Sequence, residues 1–192
     1  AIADEFGILL MFDEVQCGVG RTGKFYAHEW AGITPDIMAS AKGLGGGFPI
    51  GATLATERVA ETMTAGSHGT TYGGNPLAVA AGNAVLDVVL APGFLENVAK
   101  VSAEFIDGLK KLVAAYPDQL EDCRGKGLMV GLKCKVTNGD LVNKAIDHGL
   151  LSVPAGDNVV RFVPPMVVTS ADVAEALEKL DAALNDLKNE GA

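Results

Sequence analysis

Between Gly7 and Asp13 the chain carries an unbroken apolar run, Ile8-Leu9-Leu10-Met11-Phe12. A short stretch apolar at every position suits a central parallel strand with both faces covered, because a half-solvated strand would alternate apolar with polar residues. Such a strand needs neighbours on either side. Upstream, Ala1 to Phe6 reads as the tail of an amphipathic helix with Gly7 as its C-cap, so the chain is expected to start mid-fold, as a fragment of a longer α/β protein.

The pattern downstream agrees with a mixed architecture. Ile37 to Ala39 and Ala52 to Ala55 are strand candidates set among glycine-rich loops. Asn75 followed by Pro76 opens a helix running to Leu90, since an Asn N-cap and a proline at the first helical position together pre-set the start; Ala91-Pro92-Gly93 closes it. Beyond that break the spacing predicts a long amphipathic helix over Phe94 to Tyr116, a strand over Leu128 to Val136, a helix over Leu141 to His148 and a strand over Val159 to Val163. Arg124 to Met129 reads as the turn that opens the strand at Leu128. The last helix starts at Thr169, with Asp172 completing its cap, and aligns Val173, Leu177, Leu180, Leu184 and Leu187 on one stripe. Two domains are expected, residues 1–91 and 92–192.

Charge and composition narrow the partners. A net charge of -9 leaves no basic surface to neutralise a nucleic-acid backbone. The longest apolar stretches are broken by Asn83 and Asp87, or by Arg161 and prolines, so neither resembles a membrane span. Cys17, Cys123 and Cys134, like His28, His68 and His148, lack paired or metal-ligand spacing, which argues against a bound metal and for a reducing, cytoplasmic setting.

Two segments carry chemistry. Asp13 stands at the carboxyl end of the first strand, the edge at which open α/β sheets place their ligands; a loop aspartate capping nearby amides is the alternative. The following Gly18-Val19-Gly20-Arg21-Thr22-Gly23 matches a dinucleotide-binding fingerprint in letters only. Asp13 to Cys17 separate it from the strand, and Gly32 and Pro35 cut short any helix after it. The second segment puts Lys42 at the end of a short apolar strand and follows it with Gly43, Gly45, Gly46 and Gly47. A phosphate loop would place its glycines before the lysine and Ser or Thr after it, so that reading fails. A lysine sheltered from water can act as a nucleophile toward a carbonyl, in a Schiff-base role, whereas a solvated loop lysine would have no such task.

Together these residues resemble the ornithine-type, class III aminotransferases of fold type I, and within them the acetylornithine aminotransferases. The resemblance runs through Phe12-Asp13-Glu14-Val15-Gln16, the Gly18 to Gly23 loop, Thr34-Pro35-Asp36, Lys42 with its glycines, Gly69 to Leu77, and Arg161-Phe162-Val163-Pro164-Pro165. It implies an α/β fragment, the C-terminal half of the family's chain: part of the large cofactor domain to residue 91, then the small C-terminal α/β domain. It also implies pyridoxal 5'-phosphate as cofactor, with Asp13 on the pyridine nitrogen, Gln16 near the ring hydroxyl, Lys42 as the Schiff-base lysine and proton shuttle, and Thr71 reaching the phosphate across a homodimer interface. Arg161 would take the substrate α-carboxylate; a salt bridge within its own domain is the alternative. The implied reaction moves the terminal amino group of N2-acetylornithine to 2-oxoglutarate, in arginine biosynthesis. Succinylornithine, ornithine and 4-aminobutyrate aminotransferases share the motifs, and glutamate-1-semialdehyde aminomutase shares the fold and lysine. An inactive folding or interface module is the non-enzymatic alternative, because the family's N-terminal half supplies the phosphate-binding turn and the aromatic that stacks on the ring. Cys17 and Gly43 depart from the family pattern at positions where threonine, and alanine or serine, are common.

Overall fold

The structure is a computed structural model and describes residues 2–190. Ala1, which belongs to the expected first helix, lies outside the described residues. The chain divides into two compact units, Ala1–Leu95 and Glu96–Ala192.

The first unit opens with α1 (Ile2–Phe6), stopped at Gly7, whose φ of 62° is the left-handed cap expected of it. Three strands follow, β1 (Met11–Asp13), β2 (Ile37–Ser40) and β3 (Ala52–Ala55), in the sheet order β1-β2-β3. β1 and β2 run parallel with Asp13 level with Ala39, and β3 returns antiparallel to β2. The apolar run is less buried than its composition predicts. Ile8, Leu9 and Met11 are exposed, and β1 stands at the sheet's edge, with β2 its one paired neighbour among the described residues. The expectation of a central strand covered on both faces is corrected to that extent.

A single helical turn, α2 (Glu57–Ala60), precedes α3 (Pro76–Val89). As the sequence predicts, Asn75 caps α3: its side-chain oxygen accepts the Ala78 N–H at 2.9 Å. Inside the unit α3 packs beside the turn over Lys42–Gly45. Gly46 is needed there: at φ 58°, an added Cβ would fall 2.7 Å from the Val85 Cγ2.

The second unit sets α4 (Phe94–Ala115), α5 (Asn138–Asp147) and α6 (Ser170–Glu190) with a four-stranded sheet of order β4-β5-β7-β6. Its strands are β4 (Leu120–Lys126), β5 (Met129–Cys134), β6 (Val153–Ala155) and β7 (Val159–Phe162), and every neighbouring pair is antiparallel. The core is aliphatic: Val98, Val101, Leu109, Leu132, Leu141, Val160, Leu180 and Leu184 are buried, with Phe105 edge-on to Phe162 at 5.5 Å. Two expectations are corrected here. Arg124 to Lys126 lie within β4 rather than in a turn, and the hairpin turns at Gly127 and Leu128, so the predicted strand from Leu128 begins at Met129. β4 and β6 went unpredicted because Glu121, Asp122 and Arg124 in one and Pro154 in the other mask the strand pattern at exposed, edge-of-sheet positions. The cap of α6 forms as read, with the Thr169 N–H donating to the Asp172 Oδ2 at 2.7 Å and the Asp172 N–H to the Thr169 Oγ1 at 3.3 Å. Among the described residues no single helix is long and apolar enough to cross a membrane.

Candidate active site

Asp13 and Lys42 leave the same edge of the first sheet. Asp13 ends β1, its strand partner on β2 is Ala39, and Lys42 follows three positions further along the parallel chain, just past the carboxyl end of β2. Paired strands lie about 4.8 Å apart, so the acid and the amine stand at or just past the carboxyl ends of adjacent parallel strands. Both residues are exposed at that edge. The Asp13 Oδ1 accepts the Val15 N–H at 2.9 Å, so the carboxylate caps its own loop while standing at the edge; the two sequence readings of this residue are compatible.

Lys42 is held in the left-handed region at φ 46°, and Val19, beneath it, at φ 54°. Positive φ is uncommon for lysine and an outlier for a β-branched residue, and such strain concentrates at functional sites. The two loops touch. A Cβ on Gly43 would fall 3.5 Å from that of Val19, which is buried, so the lysine turn rests on the glycine loop that follows Asp13. No helix opens in Gly18 to Gly23, in keeping with the rejection of a dinucleotide site. Instead the loop folds on itself, with the Gly20 N–H donating to the Phe25 carbonyl at 3.0 Å and the Trp30 Nε1–H to the Thr22 Oγ1 at 3.2 Å.

Gly18 has no room for a side chain: a Cβ would stand 2.6 Å from the Glu14 carbonyl oxygen and 3.1 Å from the Tyr26 Cδ1. Since one obstacle is backbone, Gly18→Ala is expected to destabilise the chain by about 1–3 kcal/mol, read as a lowered urea midpoint with an unchanged m-value. A Gly18→Ala midpoint equal to the wild type would show that the loop can shift at little cost.

The residue that sequence reasoning passed over is Glu14. It is 2% exposed, and its carboxylate accepts the Ala27 N–H at 2.9 Å, the His28 N–H at 2.8 Å and the Cys17 S–H at 3.2 Å. Burial acts to raise its pKa, but these donors, Ala27 first, outweigh burial and hold the carboxyl below the ordinary value of 4.5. The same neighbour works against Cys17. Burial, then the Glu14 hydrogen bond and charge, push its thiol up to about 11, so it is no thiolate nucleophile. The available signal was a second acid directly after Asp13, at the end of the apolar run Ile8 to Phe12.

The remaining predicted residues stand elsewhere. Gln16 is half-buried in the loop after Asp13, and Thr71 is exposed in the loop before α3. Arg161 belongs to the second unit. It sits on β7 between Gly131 of β5 and Val153 of β6, and lines a cavity of about 290 Å³ with Phe105, Ser152, Phe162, Pro164 and Asp172.

Residues 1–184 match the class-III aminotransferase family, and the chain belongs to it. Acetylornithine aminotransferases of Brucella melitensis and Rhodobacter capsulatus are 59% identical over 97% of the chain and 54% identical over 100% of it, covering 46% and 49% of those proteins. The chain thus spans about half the length of the curated relatives it matches. Among solved structures it resembles N-acetylornithine aminotransferase from Stenotrophomonas maltophilia (TM-score 0.88, 37% identity, 98% of this chain and 50% of that one). It is also similar to ornithine delta-aminotransferase of Plasmodium falciparum (TM-score 0.91, 33% identity, 98% and 50%). A third likeness is to an amine transaminase from an uncultivated Pseudomonas species in its pyridoxal-phosphate-bound form (TM-score 0.89, 34% identity, 96% and 46%). The α/β architecture is accordingly that of part of a fold-type-I, pyridoxal-phosphate-dependent aminotransferase.

Proposed function

We propose that the protein carrying this chain transfers the terminal amino group of N2-acetylornithine to 2-oxoglutarate, using pyridoxal 5'-phosphate, in arginine biosynthesis. The observation that carries the proposal is that Asp13 ends β1 and Lys42 lies just past the same end of its parallel neighbour β2, in a chain 59% identical to an acetylornithine aminotransferase.

The residues suit the cofactor. A pyridine nitrogen and an aldehyde on one ring call for an acid and an amine on neighbouring supports, and the glycines after Lys42 keep side chains out of the way. When bound, pyridoxal phosphate supplies an electron-poor ring that takes up the electron pair released at the substrate's reacting carbon. Asp13 would hold a proton at the ring nitrogen. The Lys42 Nζ would hold the cofactor at its aldehyde end and would move a proton to and from the substrate's reacting carbon. Gln16 would stand near the ring hydroxyl. Thr71 serves the phosphate of the other subunit in a cytoplasmic homodimer, and Arg161 receives the substrate α-carboxylate through its planar guanidinium.

Steady-state kinetics of the intact protein with 2-oxoglutarate and a panel of amino donors test the substrate. The highest kcat/KM is expected for N2-acetylornithine; a higher value for ornithine, succinylornithine or 4-aminobutyrate would reassign it. Hydride reduction in the presence of pyridoxal phosphate, followed by peptide mapping, should place the covalent label on Lys42. A label on another lysine would overturn the assignment.

A further inference from the structure

Asp13 is flanked by two residues gripped from behind. In extended backbone, positions 12 and 14 leave on the side opposite to position 13. Both meet His28. The Phe12 ring lies 6.2 Å from the imidazole at 55°, and the Glu14 Oε1 is 3.3 Å from its Nδ1. His28 is in turn stacked on Tyr26, with centroids 5.7 Å apart and planes at 21°. Glu14 closes the knot from two directions: its carboxylate takes the Ala27 and His28 N–H groups, and its own N–H donates to the Ala39 carbonyl on β2 at 2.9 Å.

The donor geometry asks for a carboxylate in particular. Each oxygen of Glu14 accepts from a backbone amide, and an ionised carboxylate is acceptor-only. An amide in its place would turn an NH2 group toward one of those N–H donors. A buried charge is also a poor device for stability alone, because well-packed apolar residues often serve as well. It is better suited to holding a single geometry, and the element held here carries Asp13 at one end and abuts the strand that leads to Lys42.

We propose that Glu14 is a positioning residue for the reaction. Buried against His28 and the turn over 27–30, it fixes the angle at which Asp13 leaves the sheet edge and the register between the Asp13 loop and the strand preceding Lys42. This rests on the reading of Asp13 and Lys42 given above.

The test compares Glu14→Gln with Val89→Ala, a core truncation in α3 of a residue 2% exposed and outside the site. In the intact protein, thermal midpoint, pyridoxal phosphate dissociation constant, kcat and amino-donor KM are measured for both. Glu14→Gln is expected to lower kcat by about 10–100-fold and to weaken cofactor binding, with the donor KM within about threefold. Val89→Ala should lose thermal stability while keeping wild-type kcat and cofactor affinity. If Glu14→Gln also keeps wild-type kcat and cofactor affinity, the proposal is overturned. Should Glu14→Gln not fold, Glu14→Asp, an acceptor-only carboxylate one methylene short, is judged in the same way: a kcat loss beyond what Val89→Ala shows at equal thermal midpoint supports positioning, and wild-type kcat overturns it. A wild-type protein that neither binds pyridoxal phosphate nor turns over would instead remove the underlying functional reading, and the positioning role with it.

Discussion

Lys42→Ala is expected to lower transamination by at least about 10⁴-fold, the combined loss of a nucleophile and a general acid–base group, while leaving the fold in place. Lys42 is exposed and begins a short helical turn, so its removal opens no cavity in the core. Its φ of 46° is no easier for alanine, so backbone strain is unchanged. Lys42→Arg should fail as completely although the positive charge remains, because a guanidinium does not give up a proton near neutral pH. Single-turnover assays with amino donor, alongside thermal unfolding, separate the two effects. A Lys42→Ala protein keeping more than about 1% of the wild-type rate would show that another amine does the work.

Elements with strong local codes were readable to within a residue or two: the Asn75–Pro76 start of α3, the Thr169–Asp172 cap of α6 and the Gly7 stop of α1 depend on short-range hydrogen bonds and backbone preference. Asp13 and Lys42 stand out as candidates for a related reason, since one ends an apolar strand and the other follows one by two residues, and the two strands run parallel. What escaped was set by tertiary context. The exposure of Ile8, Leu9 and Met11, and the edge position of β1, depend on what lies against them in three dimensions, which no local pattern reports. β4 and β6 were missed because an exposed or edge strand tolerates charge and proline. Glu14 was passed over because its donors lie 13 and 14 positions away along the chain.

Asp13→Asn is expected to reduce kcat by about 10²–10³-fold, with the amino-donor KM altered less than about threefold. The substitution is close to isosteric, and an asparagine side-chain oxygen can still accept the Val15 N–H that Asp13 accepts at 2.9 Å, so the loop should keep its shape. What disappears is the negative charge. A neutral amide cannot hold a proton on a ring nitrogen in the way a carboxylate does, and the electron pair released at the reacting carbon then has a poorer destination. A loss of that size corresponds to about 3–4 kcal/mol of transition-state stabilisation. Because the deficit arises after the substrate has bound, it belongs in kcat rather than in KM. Thermal unfolding close to that of the wild type would confirm that the loop survives. If KM rises while kcat holds, Asp13 contributes to binding alone, and the electrostatic role assigned to it is wrong.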